Sequence, residues 1–96
     1  MLANNNLFSL SKTPLSTLLE MARKFRALRK QAGYSQAELA SRSGVSLGSI
    51  KRFERNGQIS LEALVKVAHL LDRLNDFDPV FETKEIGKEI KNLFTP

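Results

Sequence analysis

Ninety-six residues are enough for one domain with a modest core. A hydrophobic fraction of 42% with 26% charged residues is the balance of an ordinary globular chain. No apolar run reaches transmembrane length, and residues 1–12 lack the basic start and apolar stretch of a secretory signal, so a cytoplasmic protein without a membrane partner is expected. The absence of cysteine removes a disulfide framework and any cysteine metal site.

The formal net charge of +5 is unevenly placed. Residues 1–58 carry ten Lys or Arg against three Glu, a net +7, while residues 59–96 carry five against seven acids, a net −2. A basic first part and a slightly acidic second part imply two different faces, the first suited to a polyanion.

Residues 1–12, rich in Asn and Ser, have no helical period and read as an arm. Thr13-Pro14 starts a first helix, with Thr as N-cap and Pro where a missing N–H costs nothing. Leu15, Leu18, Leu19, Ala22, Phe25 and Leu28 then share a face, and Gly33 ends the helix. Ser35 and Glu38 are spaced as a capping box for a short second helix running to about Ser43. Gly44 and Val45 make a turn, Ser46 caps a third helix from Leu47 to about Arg55, and Asn56-Gly57 stops it.

Ser60 opens a fourth helix whose apolar stripe is Leu61, Leu64, Ala68 and Leu71, widened by Val65 and Val67. A short fifth helix is predicted from Arg73 to Asp78, limited by Pro79. Ile86, Ile90, Leu93 and Phe94 line one face of a last short helix between Thr83 and Phe94, weakened by Gly87. The expected organisation is all-α: an arm at 1–12, a compact domain at 13–78 and a tail at 79–96.

Two short helices joined by a tight glycine turn, the second opening with small polar and basic residues, form a helix-turn-helix over residues 36–55. Ala40 is small where the helices cross, Gly44 suits a left-handed turn, and Leu39, Val45, Ile50 and Phe53 are apolar where the pair must lock onto a core. The stretch LRKQAGYSQAELASRSGVSLGSIKRFERNGQISLEALVKVAHLL, Leu28 to Leu71, resembles the XRE or lambda-repressor-like helix-turn-helix regulators. That resemblance implies a compact five-helix domain that binds double-stranded DNA as a homodimer on a palindromic operator, most often as a repressor. The segment SLGSIKRFERNGQISLEAL with its acidic tail is also similar to HipB-like antitoxins, which implies a toxin protein as an alternative partner.

A recognition helix presents its N-terminal residues to base edges in the major groove. Leu47, Gly48, Lys51 and Arg52 are the outward positions there, with Lys51 and Arg52 suited to guanine and Leu47 to a thymine methyl. Gly48 stands where a polar residue is usual, so either DNA comes close at that point or direct readout is thin. Gln36 and Ser49 resemble the family's phosphate clamps, the second helix adding free N–H groups at its start, and Ser46 is a further phosphate-binding candidate. Arg55 and Asn56 are further backbone contacts, and Arg42 is a weaker one. The family resemblance gives Arg29 and Glu54 a structural salt bridge between the first and third helices. Lys84, Lys88 and Lys91 lie in the acidic tail and are not counted as DNA contacts.

No catalytic constellation is legible. His69 is the one histidine and flanks the core stripe of the fourth helix, while Asp76 and Asp78 lie in a solvated acidic segment. No glycine-rich phosphate loop follows a strand, and no histidine cluster suggests a metal or cofactor. RNA is a weaker candidate, because the motif lacks an aromatic stacking surface.

Overall fold

A computed structural model describes residues 12–84. The fold consists of four α-helices, α1 (Pro14–Gln31), α2 (Gln36–Ser43), α3 (Leu47–Asn56) and α4 (Leu61–Leu70), followed by a 3₁₀ helix (Leu74–Phe77). No strand occurs among the described residues. The expected arm and most of the expected last helix, residues 1–11 and 85–96, lie outside them.

Each α-helix begins on a side-chain cap. Thr13, Ser35, Ser46 and Ser60 have extended backbone and accept from the N–H three residues on, satisfying a donor that the first turn leaves without an intrahelical partner. The Thr13 cap is a reciprocal box closed by Ser16, and the Ser35 cap is one closed by Glu38. Gly44 ends α2 at φ 76° and Gly57 ends α3 at φ 80°, a region that side-chain-bearing residues enter only with strain.

α3 is the hub. It packs against α1 and α2, α2 packs against α4, and the 3₁₀ helix rests on α4. Leu39, Ile50, Phe53 and Val67 are the largest fully enclosed side chains, and Ala22, Phe25 and Val45 complete the buried cluster. The Phe25 and Phe53 rings meet tilted at 56° with centroids 5.1 Å apart, a favoured aromatic arrangement. Burying each large apolar side chain contributes about 1.5–3 kcal/mol relative to exposure, so these few residues dominate the fold's stability.

Three expectations change. Leu15, Leu18 and Leu19 share the predicted face of α1 but stay exposed. Leu18 meets the end of α3 at Gly57 through its Cβ and backbone, leaving the rest of its side chain at the surface, and the buried part of the α1 face begins only at Ala22. On α4, Leu61 and Val65 are exposed and Val67 is the enclosed residue, because the face turned to the core runs through Ala63, Val67 and Leu70 with Leu64, Ala68 and Leu71 beside it.

The predicted fifth helix is a single 3₁₀ turn. Asp72 reverses the chain at φ 59°, Arg73 provides no side-chain cap, and Pro79 has no N–H to extend the ladder. Asp78 nevertheless keeps α-helical angles, against the usual preference of a residue preceding proline.

Candidate nucleic-acid interface

The site is assembled at the α2–turn–α3 unit. Gly44 supplies the left-handed step, Val45 turns inward and is buried, and the Ser43 hydroxyl accepts from the Val45 N–H at 3.2 Å. Ser46 Oγ then accepts from the Ser49 N–H at 3.1 Å and donates to Ser49 Oγ at 2.8 Å. Ser46 is thereby committed to starting α3, and Ser49 Oγ keeps its own proton for an outside acceptor.

α3 is sharply two-sided. Ile50 and Phe53 point into the core, whereas Leu47, Gly48, Lys51, Arg52 and Arg55 are exposed. Lys51, Arg52 and Arg55 pair with no carboxylate among the described residues. The helix has a single acid, Glu54, and it is turned inward with its side chain 5% exposed. The solvent face of α3 is therefore cationic along its length, with no carboxylate of its own to offset it.

Glu54 is held from two helices. Arg29 of α1 donates through Nε at 2.6 Å and through a terminal nitrogen at 2.9 Å, while its other terminal nitrogen donates to the Tyr34 carbonyl at 2.8 Å. Gln36 of α2 donates Nε2 to the same carboxylate at 3.0 Å, and the exposed Arg26 guanidinium stands 3.9 Å away. Among the described residues no buried side-chain polar atom is left without a partner. This network fixes α2 and α3 against α1, which is the requirement for presenting one rigid face.

Gln36 is half-buried at the first position of α2, and its amide is engaged by Glu54. Its own backbone N–H and that of Ala37 belong to the first turn, whose N–H groups point outward as anion donors. Asn56 Oδ1 closes the end of α3 by accepting from the Gln58 N–H at 3.0 Å. Arg42 is exposed and its guanidinium lies 5.5 Å from the Tyr34 ring centre.

Electrostatics of the α2 start are set locally. The Ser35 backbone N–H, helped by the Ser35 hydroxyl and by Arg42, holds the Glu38 carboxyl below its usual range. Glu38 is thus a carboxylate at neutral pH, completing the capping box and complementing the helix dipole.

Leu47, Gly48, Ser49, Lys51, Arg52 and Arg55 lie along α3, and Gln36 at the start of α2 meets that helix at Glu54. The convergence of Gln36 and Arg26 on Glu54 was not read from the sequence. Arg26 and Arg29 are three residues apart and so share a face of α1, a usable signal. The Gln36–Glu54 contact spans eighteen residues and has no local signature.

Residues 25–74 match the family model described as Helix-turn-helix, HTH_3. The HTH-type transcriptional regulator SinR of Bacillus licheniformis is similar to this chain, 32% identical over 80 residues that span 76% of the chain and 72% of that protein. No solved structure matches the chain.

Proposed function

The chain belongs to the XRE-type helix-turn-helix family, and we propose on that premise that it binds double-stranded DNA sequence-specifically as a transcriptional regulator, a dimeric repressor of a palindromic operator. The observation that carries the reading is the solvent face of α3: three cations without acidic partners and a side-chain-free Gly48, on a helix whose one acid is locked into the core. Such a helix fits the major groove, where charge attracts the duplex and the exposed side chains meet base edges.

The roles divide by depth. Leu47, Gly48, Lys51 and Arg52 occupy the half of α3 that reads bases, Arg52 and Lys51 as donors to guanine O6 and N7 and Leu47 against a thymine methyl. Ser49, Arg55, the Gln36 end of α2 and Asn56 flank that half and take phosphates, which set register without reading sequence. Ser46 contributes by holding the first turn of α3 in place. Arg29 and Glu54 act on the fold that carries the site.

Dimerisation follows from information content. One recognition helix reads a few base pairs, and two half-sites one helical turn apart, about 34 Å, multiply the discrimination. Selection of binding sites from a randomised duplex pool tests the proposal. A two-fold symmetric motif is expected, with loss or relaxation of that motif in a Lys51→Ala, Arg52→Ala variant. Absence of any enriched sequence at moderate salt overturns sequence-specific binding by this chain alone and favours the alternative of an antitoxin that needs its toxin partner.

A further inference from the structure

The carboxylate that ties the helices together draws one more cation than its charge requires. Glu54 Oε1 accepts from a terminal nitrogen of Arg29 at 2.9 Å and from Gln36 Nε2 at 3.0 Å, and its other oxygen accepts from Arg29 Nε at 2.6 Å. Arg29 alone supplies the opposite charge. Arg26, one turn earlier on the same side of α1, holds its Nε 3.9 Å from the same Oε1 with its side chain 58% exposed. That separation is too long for a hydrogen bond. We propose that Arg26 is a further DNA-backbone ligand, a phosphate contact supplied by α1 from outside the helix-turn-helix, beside the start of α2. This contact presupposes that the chain binds double-stranded DNA.

Placement favours it first. Arg26 and Gln36 reach toward one atom, Glu54 Oε1, so the exposed guanidinium of α1 is a neighbour of the residue that opens α2. Gln36 already carries a phosphate role in the proposed interface. A phosphate at that end of α2 lies within the sweep of a side chain as long as that of Arg26.

Charge favours it next. One carboxylate faces two guanidinium groups, which leaves a surplus of one positive charge. The surplus belongs to Arg26, because Arg29 is enclosed and makes both hydrogen bonds to the carboxylate. No other acid offsets it. Glu20, the single acid of α1, is taken by Arg23 at 2.6 Å, and Glu38 is committed to the Ser35 cap.

Donor supply completes the case. A guanidinium presents five N–H donors in a planar fork that matches two oxygens of one phosphate. Among the described residues no hydrogen bond occupies any of those of Arg26. The pull of Glu54 keeps the side chain on this side of α1 without consuming a donor. Less freedom is then lost when a phosphate arrives.

Phosphate contacts are independent of sequence, so a labelled synthetic duplex of arbitrary sequence serves as the probe. Binding of the full chain is followed by fluorescence anisotropy over a series of salt concentrations, for wild type, Arg26→Gln, Arg26→Lys and Arg23→Gln. Arg26→Gln is expected to bind several-fold more weakly and to reduce the slope of log K against log salt by about 0.9, the share of one phosphate. Arg26→Lys, which keeps the charge, retains most of the slope, and Arg23→Gln retains all of it. The Tm of Arg26→Gln moves by no more than a few degrees, since an exposed pair at this distance adds little to stability.

An unchanged slope in Arg26→Gln, with wild type still binding, overturns the assignment and leaves the DNA reading intact. An equal loss in Arg23→Gln overturns it in favour of the general charge of α1. A collapse of Tm in Arg26→Gln makes Arg26 a structural member of the Glu54 network and overturns it as well. Failure of the DNA reading itself is distinct, because wild type would then show no salt-dependent binding to the duplex, and the Arg26 contact would fall with it.

Discussion

Arg29 and Glu54, twenty-five residues apart in sequence, meet through two hydrogen bonds of 2.6 and 2.9 Å with both side chains more than nine-tenths enclosed. The pair joins α1 to α3 and, through Gln36, to the start of α2. Desolvating both charges is costly, so the pair's value lies in geometry more than in net attraction. Removing one partner strands the other. Glu54→Ala is expected to lower stability by about 3–5 kcal/mol, the usual consequence of an uncompensated buried charge. Chemical denaturation measures this, and an unchanged midpoint would show that Arg29 escapes to water at no cost.

Gly44 and Gly57 have similar backbone angles but different surroundings. A Cβ at Gly44 meets nothing within 4 Å, whereas one at Gly57 comes 2.8 Å from the Leu18 Cβ and 2.9 Å from the Leu18 carbonyl carbon. Gly44→Ala therefore incurs only the left-handed penalty, about 1–2 kcal/mol. Gly57→Ala adds a clash against the backbone of α1, where overpacking costs a further ~1–3 kcal/mol. The two variants, compared by thermal unfolding, are expected to rank in that order. Equal losses would mean that α1 shifts freely away from α3.

Helix limits are legible in this sequence because the caps carry them: Thr13-Pro14, Ser35 with Glu38, Ser46 and Ser60 at the starts, Gly44 and Gly57 at two of the ends. Faces are less legible. Periodicity shows that Leu15 and Leu18 lie on the side of Ala22 and Phe25, but not that the enclosed part of that face begins only at Ala22. The exposure of Leu61 and Val65 on α4 has the same origin, since a helix's core line is chosen by its neighbour. Within the candidate site, the outward positions of α3 follow from one helical period. The engagement of Gln36 by Glu54 depends on how two helices cross, which no local pattern encodes.

Glu38 gives the α2 start an acid-sensitive component. Its carboxyl is held below the ordinary range in the folded protein, chiefly by the Ser35 backbone N–H. A depressed folded pKa contributes stability that is present above the unfolded value, about 4.3, and is lost as pH falls through the folded one. The Ser35 amide resonance is expected to move along that acid limb together with the Glu38 carboxyl. In Glu38→Gln the same amide should show no such titration, and a persisting one would assign the effect to another group.

Phosphate and base contacts leave different traces in a binding titration. Replacing a phosphate ligand weakens all sequences alike and reduces the slope of log K against log salt by about one, whereas losing a bidentate base contact costs ~1–3 kcal/mol at one position. Arg55→Ala is expected to do the first and Arg52→Ala the second. Measuring both variants on a cognate duplex and on a single-base mismatch separates the roles. An Arg52→Ala protein that still discriminates against the mismatch would move base reading to Lys51.

Gly48 offers a sharper test, because the protein itself does not need it. Its φ is not in the left-handed region and a Cβ there meets no atom within 4 Å, so the fold tolerates alanine. Glycine inside a helix is less favourable than alanine by up to about 1 kcal/mol. Gly48→Ala should then raise Tm slightly. If Gly48 is there because the duplex comes close to the backbone of α3, the same substitution weakens operator binding while the fold gains stability. That opposition is the expected outcome, read from a melting curve and a binding isotherm on the same sample. A stabilised variant with unchanged affinity would place the duplex farther from the start of α3 and leave base reading to Lys51 and Arg52.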